Sequence, residues 1–260
     1  MSHRNYRRKL ITSLHPYTST WQSNVTTNSG TYNDTDTNAL NDFMNSIDSF
    51  KSKFARLNLF MGGDLLACLV PVIYNEGNNF ADTNHNFVSG DYSRTTGLGN
   101  ASNTTKYLTC GFNFSNSSIY LQNNAEVGFG SLTNSNGGAE FSSQVSSFLN
   151  FIIKFTDNYC YSRMNSSTLK DFLNNITTIG LFSMSRNSST EYSIFLNNNL
   201  LYTHTEVSIT KPNEEIQFFT NNSYYSKKKS GIYYISSSLT SGERAILSAA
   251  WTTLNTAIGR

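Results

Sequence analysis

The chain has 260 residues, a formal net charge of +2 and 14% charged side chains. So weak a charge argues against a nucleic-acid-binding protein and against one held on a membrane surface by electrostatics. Aromatic residues make up 13% of the chain, with 18 Phe and 15 Tyr, so large rings can fill a core that has few aliphatic side chains. The length favours one large all-β domain.

The first 33 residues lack hydrophobic periodicity and are rich in Thr, Ser and Asn. This pattern predicts an extended N-terminal arm over residues 1–33. Its first ten residues, MSHRNYRRKL, are locally basic, which is typical of a solvated tail and also of an arm that contacts an acidic partner surface. No apolar run follows that is long enough for a signal peptide or a membrane span, so we expect no membrane insertion.

Residues 34–58 are predicted to form a helix. Apolar residues recur there at spacings of three and four, and Thr35, Asp36 and Thr37 offer capping oxygens at its start. The recurring apolar positions are Leu40, Phe43, Met44, Ile47, Phe50 and Phe54.

From residue 84 onward, about eleven short runs rich in Phe, Tyr, Val and Ile alternate with Asn, Gly and Ser turns, within a jelly-roll domain predicted over residues 59–260. In EYSIFL, for example, Tyr192, Ile194 and Leu196 fall on one face of a strand. The chain closes with a capping box from Thr240 to Glu243 and an apolar stripe, which predicts a C-terminal helix. The fold expected is an all-β, antiparallel two-sheet jelly-roll sandwich with an N-terminal helix and a short C-terminal helix.

Three segments carry a family resemblance: LLACLVPVI at residues 65–73, GLFSMSRNSSTEYSIFLNNNLLYTHT at 180–205, and GIYYISSSLTSGERAILSAAWTTLNTAIGR at 231–260. In this order they resemble the concanavalin A-like (LamG-like) jelly-roll domain of tailed-phage proteins. Residues 1–33 have no counterpart in that family. The resemblance implies a virion structural protein, either a capsid decoration, a head fiber or a tail appendage. It also implies a virion location, other virion proteins as partners and a homo-oligomer.

The acidic residues and cysteines of this chain are not spaced as a catalytic site would require. Glycoside hydrolases of this fold place paired acids on one strand, whereas Glu126 stands alone and the adjacent Glu214 and Glu215 fall on opposite strand faces. Cys68, Cys110 and Cys160 are widely spaced, which favours buried thiols. We therefore expect no enzyme and no required cofactor.

Two segments are candidates for binding. In the segment DTNHN, the side-chain oxygens of Asp82 and Asn84 could bind calcium, although an ordinary polar loop would have the same residues. In SYYSKKKSG, Tyr224 and Tyr225 precede three lysines, Lys227, Lys228 and Lys229. This segment is either a soluble loop tip or a contact for an acidic glycan or partner.

Two functions therefore stay open. The first is a non-enzymatic virion component that residues 1–33 anchor and whose jelly roll is displayed. The alternative is a carbohydrate-binding module that recognises host surface glycans, because aromatic rings stack on sugars and amides bond their hydroxyls.

Overall fold

A computed structural model describes residues 13–77, 79–143, 148–173, 175 and 177–260. Its α-helices are α1 (Pro16–Thr27), α2 (Asp34–Ile47), α3 (Leu65–Cys68) and α4 (Ser241–Ala257), and 3-10 turns span Asp48–Lys53, Ser89–Asp91 and Phe114–Asn116. The strands are β1 (Phe54–Asn58), β2 (Ile73–Tyr74), β3 (Thr83–His85), β4 (Tyr92–Ser93), β5 (Gly97–Leu98), β6 (Tyr107–Asn113), β7 (Ala125–Ser131), β8 (Phe141–Ser143), β9 (Leu149–Ile152), β10 (Tyr159–Met164), β11 (Lys170–Leu173), β12 (Gly180–Arg186), β13 (Glu191–Leu196), β14 (Asn199–Thr205), β15 (Glu215–Phe218) and β16 (Ser230–Ser236).

The strands form two sheets whose neighbouring strands pair antiparallel. Sheet A has the order β14-β13-β12-β7-β16-β1-β2, with β5 on β16 and β4 on β5. Sheet B has the order β11-β10-β9-β8-β15-β6-β3. Sequence neighbours such as β6 and β7 lie in different sheets, as in a jelly roll. The predicted two-sheet antiparallel sandwich with terminal helices is confirmed.

Aromatic rings from both sheets fill the space between them. Phe218 of sheet B stacks on Tyr233 of sheet A, with ring centroids 3.9 Å apart. Phe219 contacts Phe60 and Phe129 at centroid distances of 5.9 and 5.3 Å. Aromatic rings therefore make up a large part of the core between the sheets, which explains how a chain poor in aliphatic residues closes a core.

The N-terminal segment differs from the extended arm expected over residues 1–33. Residues 16–27 form α1, which begins with Pro16 in the first turn. Trp21 is fully buried and donates from Nε1 to the Val70 carbonyl at 3.2 Å. Because Trp21 and Val25 join the hydrophobic cluster that α2 and α4 share, α1 packs against the body. The basic stretch MSHRNYRRKL lies outside the described residues.

The helix expected over residues 34–58 is shorter than its apolar spacing suggests. Asn33 and Asp36 form a capping box at its start, and the helix ends at Ile47. Residues Phe54–Asn58 instead form β1, which pairs with both β16 and β2. All five residues of β1 are buried, so the strand lacks the alternation by which a half-exposed strand is recognised. In the described part of the chain, no helix is long and apolar enough to cross a membrane.

The His204 ring on β14 should make stability depend on pH. It is buried between Tyr192 and Tyr202, at centroid distances of 5.1 and 4.7 Å. Burial, assisted by Lys170, lowers the pKa of His204 to about 4. In the unfolded chain the imidazole titrates near 6.5, so the unfolded state binds more protons between about pH 4 and 6.5. Stability is therefore complete above about pH 6.5 and falls as the pH drops toward 4.

We expect the wild-type protein to lose on the order of 1–2 kcal/mol more than His204→Gln between about pH 7 and 4.5. Urea unfolding of both proteins at the two pH values measures this difference. Equal losses in the two proteins would show that His204 does not carry the pH dependence.

Candidate functional site

A loop between β15 and β16 forms one wall of the candidate site, and we call residues 219–227 the tyrosine loop. Thr220 and Tyr225 bridge its two arms, and Ser226 N donates to the Phe219 carbonyl at 2.8 Å. At the tip, Asn221 Oδ1 accepts from Tyr224 N at 2.9 Å, and Asn222 has a φ of 70° that Asn tolerates. These bonds fix the backbone that carries Tyr224 and Tyr225.

The buried carboxylate of Glu140 holds this loop against sheet B. It accepts from Ile153 N at 2.6 Å and from Ser226 Oγ at 3.2 Å, and it pairs with Lys228 Nζ at 2.9 Å. Glu140 and Lys228 are both fully buried. Burial raises the pKa of Glu140, against the opposing effects of Lys228 and the two hydrogen bonds. One side chain thus connects the segment before β8, the end of β9 and the tyrosine loop.

Gly138 lets the tyrosine loop approach closely. Its φ is 80°, and a Cβ added there would lie 2.0 Å from the Tyr225 carbonyl oxygen. Ala139 N donates to the Tyr224 carbonyl at 3.3 Å in the same contact. A larger residue at position 138 would therefore both strain the backbone and displace the loop.

Two grooves open beside the tyrosine loop. The amide groove, of about 220 Å³, is lined by Asn150, Ile152, Phe155, Tyr161, Leu169, Asn221 and Tyr224. The lysine groove, of about 370 Å³, is lined by Asn103, Thr104, Gly137, Gly138, Phe155, Thr156, Ser223, Tyr224, Tyr225 and Lys227. Phe155 and Tyr224 line both and meet edge to face, with centroids 5.0 Å apart. They form an aromatic ridge between the grooves.

Asn150, a polar residue of β9, forms the floor of the amide groove. Leu149 and Phe151 of β9 point into the core, so Asn150 and Ile152 face outward. Asn150 is 7% exposed, and its Oδ1 has no hydrogen-bond partner among the described residues. In register, Asn150 lies opposite Ser142 of β8, which lies opposite Gln217 of β15. A buried acceptor without a donor costs about 1–3 kcal/mol, so a hydroxyl or N–H placed here would be favourable.

The structure separates the five residues predicted to contact a glycan or partner. Tyr224, Tyr225 and Lys227 line the lysine groove together. Lys229 turns away and donates to Thr96 Oγ1 at 2.9 Å. Lys228 is fully buried against Glu140, so the prediction that it contacts a ligand is wrong. Alternation along the segment entering β16 sends neighbouring lysines to opposite sides.

The predicted calcium ligands do not fit a cation. Asp82 is 4% exposed, and its carboxylate accepts from Arg56 Nη2 at 2.7 Å, Tyr233 Oη at 2.6 Å and Asn58 Nδ2 at 2.8 Å. The Asn84 amide bonds the backbone of Phe87 on both sides, at 2.8 and 2.9 Å. Among the described residues, no group of three or more His, Cys, Asp or Glu side chains is placed to hold a metal ion.

The acids considered for catalysis hold structural bonds instead. Glu126 accepts from Tyr234 Oη at 2.7 Å and from Arg244 Nη1 at 2.8 Å. Glu215 accepts from the backbone N–H of Gly111. Neither groove has a carboxylate among its described lining residues, and glycoside hydrolysis needs two. The described lining of the grooves therefore offers rings, amides and one ammonium group.

Sequence reasoning missed Asn150, Phe155 and Gly138 as members of the site. FTDNYCY, residues 155–161, does carry a signal, because rings recur on a turn that enters a strand. The sequence does not show that β9 pairs with β8, or that the tyrosine loop closes over this pair of strands.

The fold makes this chain a jelly-roll β-sandwich. It is similar to the receptor-binding domain of botulinum neurotoxin C/D mosaic serotype, with a TM-score of 0.53 and 13% identity over 77% of this chain and 52% of that one. It is also similar to the botulinum neurotoxin serotype D binding domain, with a TM-score of 0.50, 13% identity and the same coverage. The chain thus spans about half the length of the solved domains that it matches. No protein-family model matches it, and no curated protein does.

Replacing one partner of the Glu140–Lys228 pair should destabilise the protein. Lys228→Met leaves a buried carboxylate without its cation, and loss of one partner of such a pair costs about 3–5 kcal/mol. The double variant Glu140→Gln/Lys228→Met leaves no isolated charge, so its loss should be clearly smaller. Urea unfolding of the wild type, Lys228→Met, Glu140→Gln and the double variant measures both effects. Additive losses in the double variant would contradict the pairing.

Proposed function

We propose that this protein is a non-enzymatic carbohydrate-binding module whose site consists of the amide groove and the lysine groove. The observation that carries the proposal is the combination of an exposed aromatic ridge with an unpartnered amide beside it. Tyr224 is 50% exposed, although tyrosines usually bury their rings in part. Asn150 Oδ1 is an acceptor that a sugar hydroxyl can satisfy.

The dimensions of the grooves agree with small ring ligands. Pockets for drug-sized ligands hold about 300–1,000 Å³, and these two hold about 220 and 370 Å³. Each therefore suits one sugar ring, with an apolar face against Tyr224 or Phe155 and hydroxyls toward amide groups.

The similar solved structures support this proposal only through the fold. They are named as receptor-binding and binding domains of neurotoxins, and a shared fold does not transfer a ligand. They nonetheless agree better with a binding module than with a particle scaffold. A role in a phage virion, with virion partners and homo-oligomers, stays a prediction from the sequence resemblance.

Glycan-array binding followed by calorimetry tests the proposal. We expect saturable binding of at least one glycan, and Tyr224→Ala should weaken it at least about tenfold, which corresponds to about 1.4 kcal/mol. Tyr224→Phe keeps the ring and should retain most of the affinity, because stacking and not the hydroxyl is the main contact.

Tyr202→Ala is the matched control. Tyr202 is 45% exposed but lies on β14, the edge strand of sheet A, and does not line either groove. Its substitution should leave glycan affinity unchanged. Absence of binding to any glycan by the folded wild-type protein would refute the proposed function.

A further inference from the structure

The two grooves differ in chemistry although they share the ridge of Phe155 and Tyr224. Because the shared rings contact each other, a ligand that fills both grooves must pass over this ridge. A single sugar ring fills one groove, whereas two linked rings can fill both. The question is which kind of unit each groove accepts.

The amide groove suits a neutral unit. Its described lining contains no charged side chain. Two acids lie beside Tyr161 without lining the groove: Asp157 accepts from the Tyr161 hydroxyl at 2.6 Å, and Asp171 lies opposite Tyr161 in register. The Arg163 guanidinium, opposite Asn150 in register, donates from Nη1 to the Ser167 carbonyl at 3.3 Å and does not line the groove. Asn150, whose Oδ1 has no hydrogen-bond partner among the described residues, therefore supplies an amide on the floor that can bond a sugar hydroxyl.

The lysine groove suits an anionic unit. Lys227 is exposed and lines it, and none of the ion pairs among the described residues involves its ammonium group. Three other lysines near the groove are already neutralised or turned away. Lys228 pairs with Glu140, Lys106 pairs with Asp91 at 2.6 Å, and Lys229 bonds Thr96. Among the described lining residues of this groove, Lys227 is thus the one cation, and no carboxylate lines the groove with it.

We infer that the ligand is an acidic oligosaccharide of at least two units. Its anionic unit, bearing a carboxylate or a sulfate group, lies in the lysine groove against Lys227. The neighbouring neutral unit lies in the amide groove, stacks on Tyr224 and donates a hydroxyl to Asn150. This inference rests on the proposed glycan-binding function and adds the class of glycan and its direction across the ridge.

Calorimetry with matched ligands tests the inference. The probes are a uronate-containing oligosaccharide, its carboxyl-reduced neutral form and the neutral form bearing one sulfate. The wild type should bind the carboxylated or the sulfated form at least about tenfold more tightly than the neutral form. This preference should shrink as NaCl rises from about 0.05 to about 0.5 M, because salt screens an exposed charge. Which anionic form is preferred distinguishes carboxylate from sulfate recognition.

Substitutions assign the preference to its residues. Lys227→Gln should bind all three ligands with the affinity of the neutral form. Lys229→Gln removes the same charge two residues away and should keep the wild-type preference. Asn150→Leu should weaken all three ligands by a similar factor while leaving their ratio unchanged. Near-ultraviolet circular dichroism confirms that each variant is folded.

The outcomes separate this inference from the proposed function. Equal binding of acidic and neutral forms by the wild type, or an unchanged preference in Lys227→Gln, overturns the inference while glycan binding stands. An altered ratio in Asn150→Leu overturns the assignment of the neutral unit. Failure of every glycan to bind refutes both.

Discussion

The candidate site depends on a single buried carboxylate. Glu140 bonds Ile153 N and Ser226 Oγ and pairs with Lys228, and all three partners belong to segments that wall the two grooves. A charge taken out of water is retained only where an opposite charge or hydrogen bonds compensate for its lost hydration. Glu140 and Lys228 therefore act together as a constraint, because neither stays buried without the other. The position of Tyr224 and Tyr225 follows from this constraint.

The same principle recurs at a second buried ion pair. Arg56 and Asp82 are fully buried at their side chains and lie 2.7 Å apart, and Tyr233 donates to the same carboxylate. Arg56 and Tyr233 come from sheet A, whereas Asp82 directly precedes β3 of sheet B. Apolar packing between rings is tolerant of sliding, while a buried ion pair has one good geometry. These pairs thus set the position of the two sheets relative to each other, and the packed rings stabilise the sandwich by apolar burial.

The sandwich architecture of this chain does not by itself define the ligand of the candidate site. The sandwich brings the tyrosine loop and β9 together, yet the same architecture serves proteins with other ligands. What distinguishes this site is the lone ammonium of Lys227, the ridge of Phe155 and Tyr224, and the unsatisfied amide of Asn150. These three features, and not the number of strands, make it a candidate for binding a charged sugar.

The amino-acid sequence by itself determined the class of fold, the C-terminal helix and part of the site. Alternating aromatic runs separated by Asn and Gly turns specify strands, because each strand must bury one face. The capping box at Thr240 and Glu243 specifies where α4 begins, because it depends on residues three apart. Tyr224, Tyr225 and Lys227 were predicted as contacts and do line one groove.

Tertiary structure alone decided the rest. Residues 16–27 became helical because Trp21 finds a buried position against Val70, a partner 49 residues away. Asp82 and Lys228 look like exposed ligands in the sequence, but Arg56 and Glu140 bury them through long-range pairs. Asn150 and Phe155 joined the site because β9 pairs with β8 and the tyrosine loop folds onto that edge. Local sequence patterns determine the secondary structure of residues that are close in the chain. The pairing of distant charges and strands is determined only when the whole core forms.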